Sequence, residues 1–195
     1  PLALDLGRCL FCGECARIAP RNVRFTNDYR IGSPTREGLV VRPGDPRIAF
    51  DAGKVRPEIR RCFSRALQLR EVSAGGDASV EMELGATGNV NFDLGRFGIG
   101  FTASPRHADG LVVTGPVTEN MRRALLDTWA AMPEPRLLVA VGACAISGGL
   151  FRESPQCHGG LDGGGRLPPV DVFVPGCPPN PWSILDGLLS LRRRD

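Results

Sequence analysis

The stretch VDVFVPGCPPNPWSILDGLLSL, residues 170–191, decides the fold class. It reads as an apolar strand, a tight Gly/Pro loop carrying Cys177, and then a helix. Alternating apolar residues with β-branched Val at 170, 172 and 174 predict a buried strand, and the prolines at 178, 179 and 181 stop it. Proline is tolerated in the first turn of a helix, where its missing N–H would be unpaired anyway. The helix is therefore expected to start near Pro181 or Trp182. A cysteine is thereby held at the carboxyl end of a strand, where open α/β sheets place their ligands.

The same geometry occurs once before. In MPEPRLLVAVGACAISGGLF (132–151) the run LLVAV is a short strand, glycines at 142, 148 and 149 make a flexible turn, and Cys144 follows the strand by three residues, as Cys177 follows its own. If the two strands are parallel and close, both thiols sit on one rim, which suggests a metal or cluster site.

Bulk properties bound the rest. A chain of 195 residues, 42% hydrophobic, suffices for one good core with a small appendage. The net charge of +3 is mild, and the short basic end Arg192–Arg194 reads as a solvated helix terminus favoured by the helix dipole, so no nucleic-acid partner is expected. No apolar run approaches the roughly 18 residues that span a bilayer, and no signal peptide is visible. Membrane contact is expected to run through partners. Seven cysteines, three of them in CLFCGEC, point to metal chemistry in a reducing compartment rather than to a disulfide framework. The cytoplasm is the expected location.

GRCLFCGECARIAPRNVRF (7–25) holds Cys9, Cys12 and Cys15 at C-x2-C-x2-C spacing. A ferredoxin cluster loop continues with three residues, a fourth cysteine and a proline; here Pro20 is present but Ala19 stands in the fourth position. A cluster completed by an outside ligand, a zinc site and an empty relic stay open. FTNDYRIGSPTREGLVV (25–41) reads as a surface-hugging tail, and residues 42–58 as a Pro/Gly-rich linker. Together with the tail, CLFCGECARIAP resembles the carboxyl end of the polyferredoxin subunit of complex I and formate-hydrogenlyase-type hydrogenases.

IRRCFSRALQLREV (59–72) is read as a short helix running into a strand, with Cys62 as a small buried side chain. GGDASVEMELGATG (75–88) is a Gly-rich loop entering a helix, but no G-x-x-x-x-G-K-[ST] is present and FGIGF (97–101) is not G-x-G-x-x-G. In SPRHADGLVVTGPVTENMRRALLDTWAAM (104–132) a strand GLVV precedes a helix capped by Thr118, with Met121, Leu125, Leu126 and Trp129 facing the core. The β-α-β-α-β-α order predicts a doubly wound, mostly parallel, flavodoxin-like α/β sheet over 59–195, preceded by a degenerate ferredoxin-like segment, 1–41, and the linker 42–58. RESPQCHGGLDGGGRLPP (152–169) is a long loop able to fold over the cysteine rim.

SPRHADGLVVTGPVT, MPEPRLLVAVGACAISGG and PVDVFVPGCPPNPWSILDGLL together resemble the small, proximal-cluster subunit of energy-converting nickel-iron hydrogenases and its relative, the B subunit of NADH-quinone oxidoreductase. The resemblance covers about residues 60–192 and implies a [4Fe–4S] cluster held by four cysteines, two of them matched by Cys144 and Cys177. The other two belong in the first loop, where this chain has GGDASVEME: Asp77 stands in the first cysteine's place, and Val80 or Ala78 in the second's. Two of the four expected proximal ligands are thus missing, and neither valine nor alanine offers a donor.

A lost or degenerate proximal cluster is therefore expected. A non-standard cluster of Cys144, Cys177, Asp77 and Cys157, and a Cys3His zinc site of Cys144, Cys157, His158 and Cys177, are the alternatives. His107 is read as structural or as a hydrogen-bond donor at the rim, and Arg106 as a rim charge or a plain salt bridge. The implied function is that of a peripheral-arm, electron-transfer-type subunit on the inner face of the cell membrane. It would dock the hydrogenase- or complex I-type large subunit, alongside other peripheral- and membrane-arm subunits. A redox-inactive assembly subunit and a flavin- or nucleotide-binding domain are the rivals. No residue is expected to be catalytic on a substrate.

Overall fold

The computed structural model describes residues 3–45, 48–163 and 167–192. Its main sheet has five parallel strands in the order β4-β3-β5-β6-β7, formed by β3 (Leu67–Ser73), β4 (Ile99–Phe101), β5 (Gly110–Thr114), β6 (Leu137–Val141) and β7 (Val172–Val174). This is the flavodoxin-type order, wound in both directions from β3 and β5. The helices are α1 (Glu14–Ile18), α2 (Pro57–Cys62), α3 (Ser79–Ala86), α4 (Glu119–Ala131), α5 (Ala143–Ser147) and α6 (Pro181–Ser190). A two-stranded antiparallel sheet joins β1 (Leu4–Asp5) to β2 (Val40–Val41).

Strands β5, β6 and β7 are buried on both faces, as the interior of a parallel sheet is, whereas β3 and β4 are partly exposed; alternate residues feed two cores. Leu137, Val139 and Val141 of β6 face a core completed by Ile59, Val80, Leu84, Ile184, Leu185 and Leu188 from α2, α3 and α6. Leu138 and Ala140 face the other core, closed by Leu125 of α4, by Ala145 and Ile146 of α5, and by Leu6 and Leu39 of the amino-terminal segment. That segment is thus part of the second layer. Ser33 pairs with Phe173 of β7 through two backbone bonds of 2.9 and 2.8 Å, and the Ser147 hydroxyl donates to the Gly7 carbonyl at 2.8 Å.

The stretch 52–59 also enters the fold. Val55 and Ile59 are buried, and the Arg56 guanidinium pairs with the buried Asp171 carboxylate at 2.7 Å. Asp171 Oδ2 in turn accepts from the Leu138 N–H at 2.8 Å, so one side chain ties the approach to α2 onto β6.

Several local expectations change. Cys62 is exposed rather than buried, because it ends α2 on the side turned from the core. Thr118 occupies the N-cap position of α4, yet its side chain makes no capping bond. Arg192 is not a solvated terminus: it is part-buried and donates to the Phe97 carbonyl, while 193 and 194 lie outside the described residues.

Candidate functional site

The carboxyl ends of β6 and β7 lie side by side, Val141 opposite Val174, so Cys144 and Cys177 emerge on the same rim. Their loops are directly bonded: Gly142 N donates to Val174 O at 2.9 Å and Ala143 N to Gly176 O at 2.8 Å. The chain can turn there because residue 142 has φ +91, and a Cβ would meet the Val80 side chain at 2.9 Å. Val80 is buried and packs against the Cys144 loop, so the first loop reaches this rim with an isopropyl group rather than a donor.

Burial pushes the Cys144 thiol up to about 11, with Cys177 and Asp77 adding to the rise. The Leu150 N–H donates to it, and a Cβ on Gly149 would lie 2.8 Å from its sulfur. At neutral pH Cys144 is a protonated thiol, so any metal must displace its proton. Cys177 is exposed at the surface, and partial burial of its sulfur and the Asp77 charge raise it as well.

Asp77 is near both thiols but already engaged. Its Oδ1 accepts from the Ser79 N–H at 3.1 Å and the Ser79 hydroxyl at 2.6 Å, bonds that hold its carboxyl below the usual range and form a local Asx turn just before α3. Glu81, one turn on, accepts from Ser73 and Thr114 at 2.5 and 2.7 Å and ties α3 to the ends of β3 and β5. A phosphate seeking this helix start would find Asp77 in place, and the glycine loop is packed: a Cβ on Gly75 would meet Thr118 and one on Gly76 would meet Gly115.

Cys157 lies close enough to influence Cys144, on a strip held by three backbone bonds: Glu119 N to Gln156 O, His158 N to Val117 O and Gly160 N to Pro116 O. His158 pairs with Glu119 instead of facing the thiols. His107 and Arg106 are exposed on the turn Pro105–His107, which precedes β5. They therefore stand at the opposite edge of the sheet from the cysteines, not at the rim. Cys9 receives the Phe11 N–H at 3.3 Å and feels Cys15, Cys12 and Cys177.

Residues 78–191 match the family described as NADH ubiquinone oxidoreductase, 20 Kd subunit. The chain belongs to this family. It is 46% identical over 117 residues to the B subunit of NADH-quinone oxidoreductase from Desulfovibrio desulfuricans, covering 60% of this chain and 62% of that protein. It is 42% identical to formate hydrogenlyase subunit 7 of Escherichia coli, covering 64% of this chain and 48% of that one. The chain therefore spans about half to two thirds of the length of these relatives. A membrane-bound hydrogenase subunit of Pyrococcus furiosus is 42% identical, with 68% of this chain and 77% of that protein covered. Among solved structures, a chain of the membrane-bound sulfane sulfur reductase, an archaeal respiratory membrane complex, superposes with a TM-score of 0.59 at 29% identity, covering 68% of this chain and 72% of that one.

Members of the 20 kDa subunit family normally bind a [4Fe–4S] cluster. The residues at the corresponding rim here do not fit a four-thiolate set: two thiols stand beside an aspartate engaged with Ser79 and a buried valine. Among the described residues, no three His, Cys, Asp or Glu side chains converge on one metal position. Nor is any described helix long and apolar enough to cross a membrane.

The sequence reading missed the bonds that bring the amino-terminal segment here. Arg36 pairs with Asp5 at 2.6 Å and with Asp162 at 2.5 Å. Its partners lie 31 and 126 residues away, and Ser147 lies 140 from Gly7, so no local spacing pattern could have signalled them.

Proposed function

We propose that this chain is a peripheral-arm subunit of a membrane-associated hydrogenase- or complex I-like oxidoreductase, and that the Cys144/Cys177 rim docks a large subunit. The proximal cluster site of the family is degenerate in it. Placement on the cytoplasmic face and contacts with other peripheral- and membrane-arm subunits belong to the same reading. The observation that carries it is the first loop: where two thiolates are needed, Asp77 is turned onto Ser79 and Val80 fills the space against Gly142.

The same loop favours one second reading, an assembly subunit without a redox role. Deleting an electron-carrying centre leaves the fold, the rim shape and the docking surface in place.

Beside Cys144, the turn Gly149–Phe151 exposes Leu150 (73%) and Phe151 (46%), apolar surface of the kind a partner covers. Co-expression with the large subunit and measurement of their dissociation constant tests the docking. Leu150→Asp, which leaves every core residue intact, is expected to weaken the complex by about tenfold or more, equivalent to about 1.4 kcal/mol. Unchanged affinity in Leu150→Asp and Phe151→Asp alike would place the partner elsewhere.

A further inference from the structure

The outer edge of the main sheet is cut short. β3 runs from Leu67 to Ser73, but its outer neighbour β4 pairs only with Leu67, Gln68 and Leu69. On the inner side β5 accompanies β3 from Leu69 to Ser73. The carboxyl half of β3 is therefore flanked on one side only, and the sheet has a notch beyond Phe101.

Backbone direction fixes what faces the notch. Leu67 N donates to Gly98 O at 2.9 Å and Thr102 N donates to Leu69 O at 2.8 Å, so residues 67 and 69 turn their main-chain groups outward, whereas Ala74 N donates inward to Thr114 O at 2.8 Å. Main-chain direction alternates along a strand, and Glu71 and Ser73 thus point their N–H and C=O groups into the notch. Among the described residues no backbone bond reaches Glu71 or Ser73 from that side, because the chain leaves the sheet after Thr102 for the turn Pro105–His107. An unpaired run of this kind is a template for another strand.

A cavity of about 310 Å³ opens beside the notch, between α3 and β4. Leu84, Leu94, Ile99 and the part-exposed Phe101 give it apolar walls, and Glu71 and Glu81 bring two carboxylates to it. Glu81 is held in place by the Ser73 and Thr114 hydroxyls, which both donate to its Oε1. Glu71 feels the Glu81 charge more strongly than the opposite charge of Arg70, and it makes no ion pair among the described residues. Two like charges lining one cavity favour a cation from outside.

We propose that the notch binds an extended segment of a partner protein, with its main chain paired to Glu71 and Ser73 and a lysine or arginine side chain placed in the cavity beside Glu71 and Glu81. Main-chain bonds supply the affinity in such strand addition, and the pocket selects the side chain. An acidic segment is rejected, because it would bring further negative charge to two carboxylates that already repel. The notch lies two strands away from β6 and the Cys144 loop, so the proposal stands whether or not the rim docks a large subunit.

The test uses the full chain and a short capped peptide of alternating valine and lysine, with the same peptide carrying glutamate for lysine as the control. Amide hydrogen exchange is read residue by residue, and affinity is taken from a titration. With the lysine peptide at millimolar concentration, exchange at Glu71 and Ser73 is expected to slow by about tenfold or more, and the glutamate peptide should leave both amides unchanged. Glu71→Gln, checked for folding by thermal unfolding, should bind the lysine peptide about tenfold more weakly. Three results each overturn the proposal: no slowing at either amide in the wild type, equal slowing by the glutamate peptide, or unchanged affinity in folded Glu71→Gln.

Discussion

Glu71 shows how single groups at this end of the sheet set the stability. Burial, together with the neighbouring Glu81 charge, raises its carboxyl above the usual range. A raised carboxyl binds its proton more tightly in the folded chain than in the unfolded one. Its favourable contribution is therefore present at acid pH and lost as pH rises through the folded value. Glu71→Gln is expected to raise the melting temperature at neutral pH, with the gain vanishing near pH 4, as a pair of thermal unfolding series would read. Gly142→Ala should act in the opposite direction. A Cβ there meets Val80 at 2.9 Å on a backbone at φ +91, so a loss of about 1–3 kcal/mol is expected in denaturant titration. The residue scale was also where reading from sequence was most uneven. Cys144 and Cys177 were legible because each follows an apolar strand by three residues, so strand direction alone places them. The same strand direction rules out the rim alternative for His107, which precedes its strand and so stands at the opposite edge, and Cys62 was misread because its exposed side of α2 is set by tertiary packing.

At the scale of elements, the parallel sheet was legible from β-branched apolar runs separated by helix-length segments, since strands buried on both faces leave that signature. The amino-terminal segment and the stretch 52–59 were not, because long-range polar contacts rather than periodicity fix them. Two substitutions probe those contacts. Asp171→Ala leaves the Leu138 N–H and the Arg56 guanidinium without their carboxylate. Arg56 is 37% exposed and can regain water, so the cost is expected at about 2–3 kcal/mol rather than the upper end for a fully buried pair. Asp5→Asn should loosen the segment without unfolding the sheet. Burial alone would raise the Asp5 carboxyl, but the Arg36 bonds outweigh it and leave it lowered. The pair's contribution is therefore complete at neutral pH and falls away as acid protonates Asp5. Limited proteolysis within residues 8–30 is expected to quicken in Asp5→Asn at neutral pH while residues 67–163 stay protected.

For the whole molecule, the rim joins fold and function. A doubly wound sheet places its ligand site at the carboxyl ends of its strands, and both family cysteines are there with their loops bonded to each other. What the proposal removes from the family pattern is the donor set of the first loop, whose acidic residue is bonded to Ser79 and whose valine packs against Gly142. Under that proposal the chain keeps the rim shape that meets a large subunit without the family's four-cysteine cluster. The most direct measurement is iron and acid-labile sulfide per chain, with low-temperature EPR after dithionite reduction, on the anaerobically purified complex with its large subunit, comparing wild type with Cys144→Ala. The account predicts equal iron and an unchanged reduced signal from this chain in the two proteins. A cluster signal present in the wild type and lost in a folded Cys144→Ala complex would contradict it, and would show that the proximal site assembles with a ligand set other than four family cysteines.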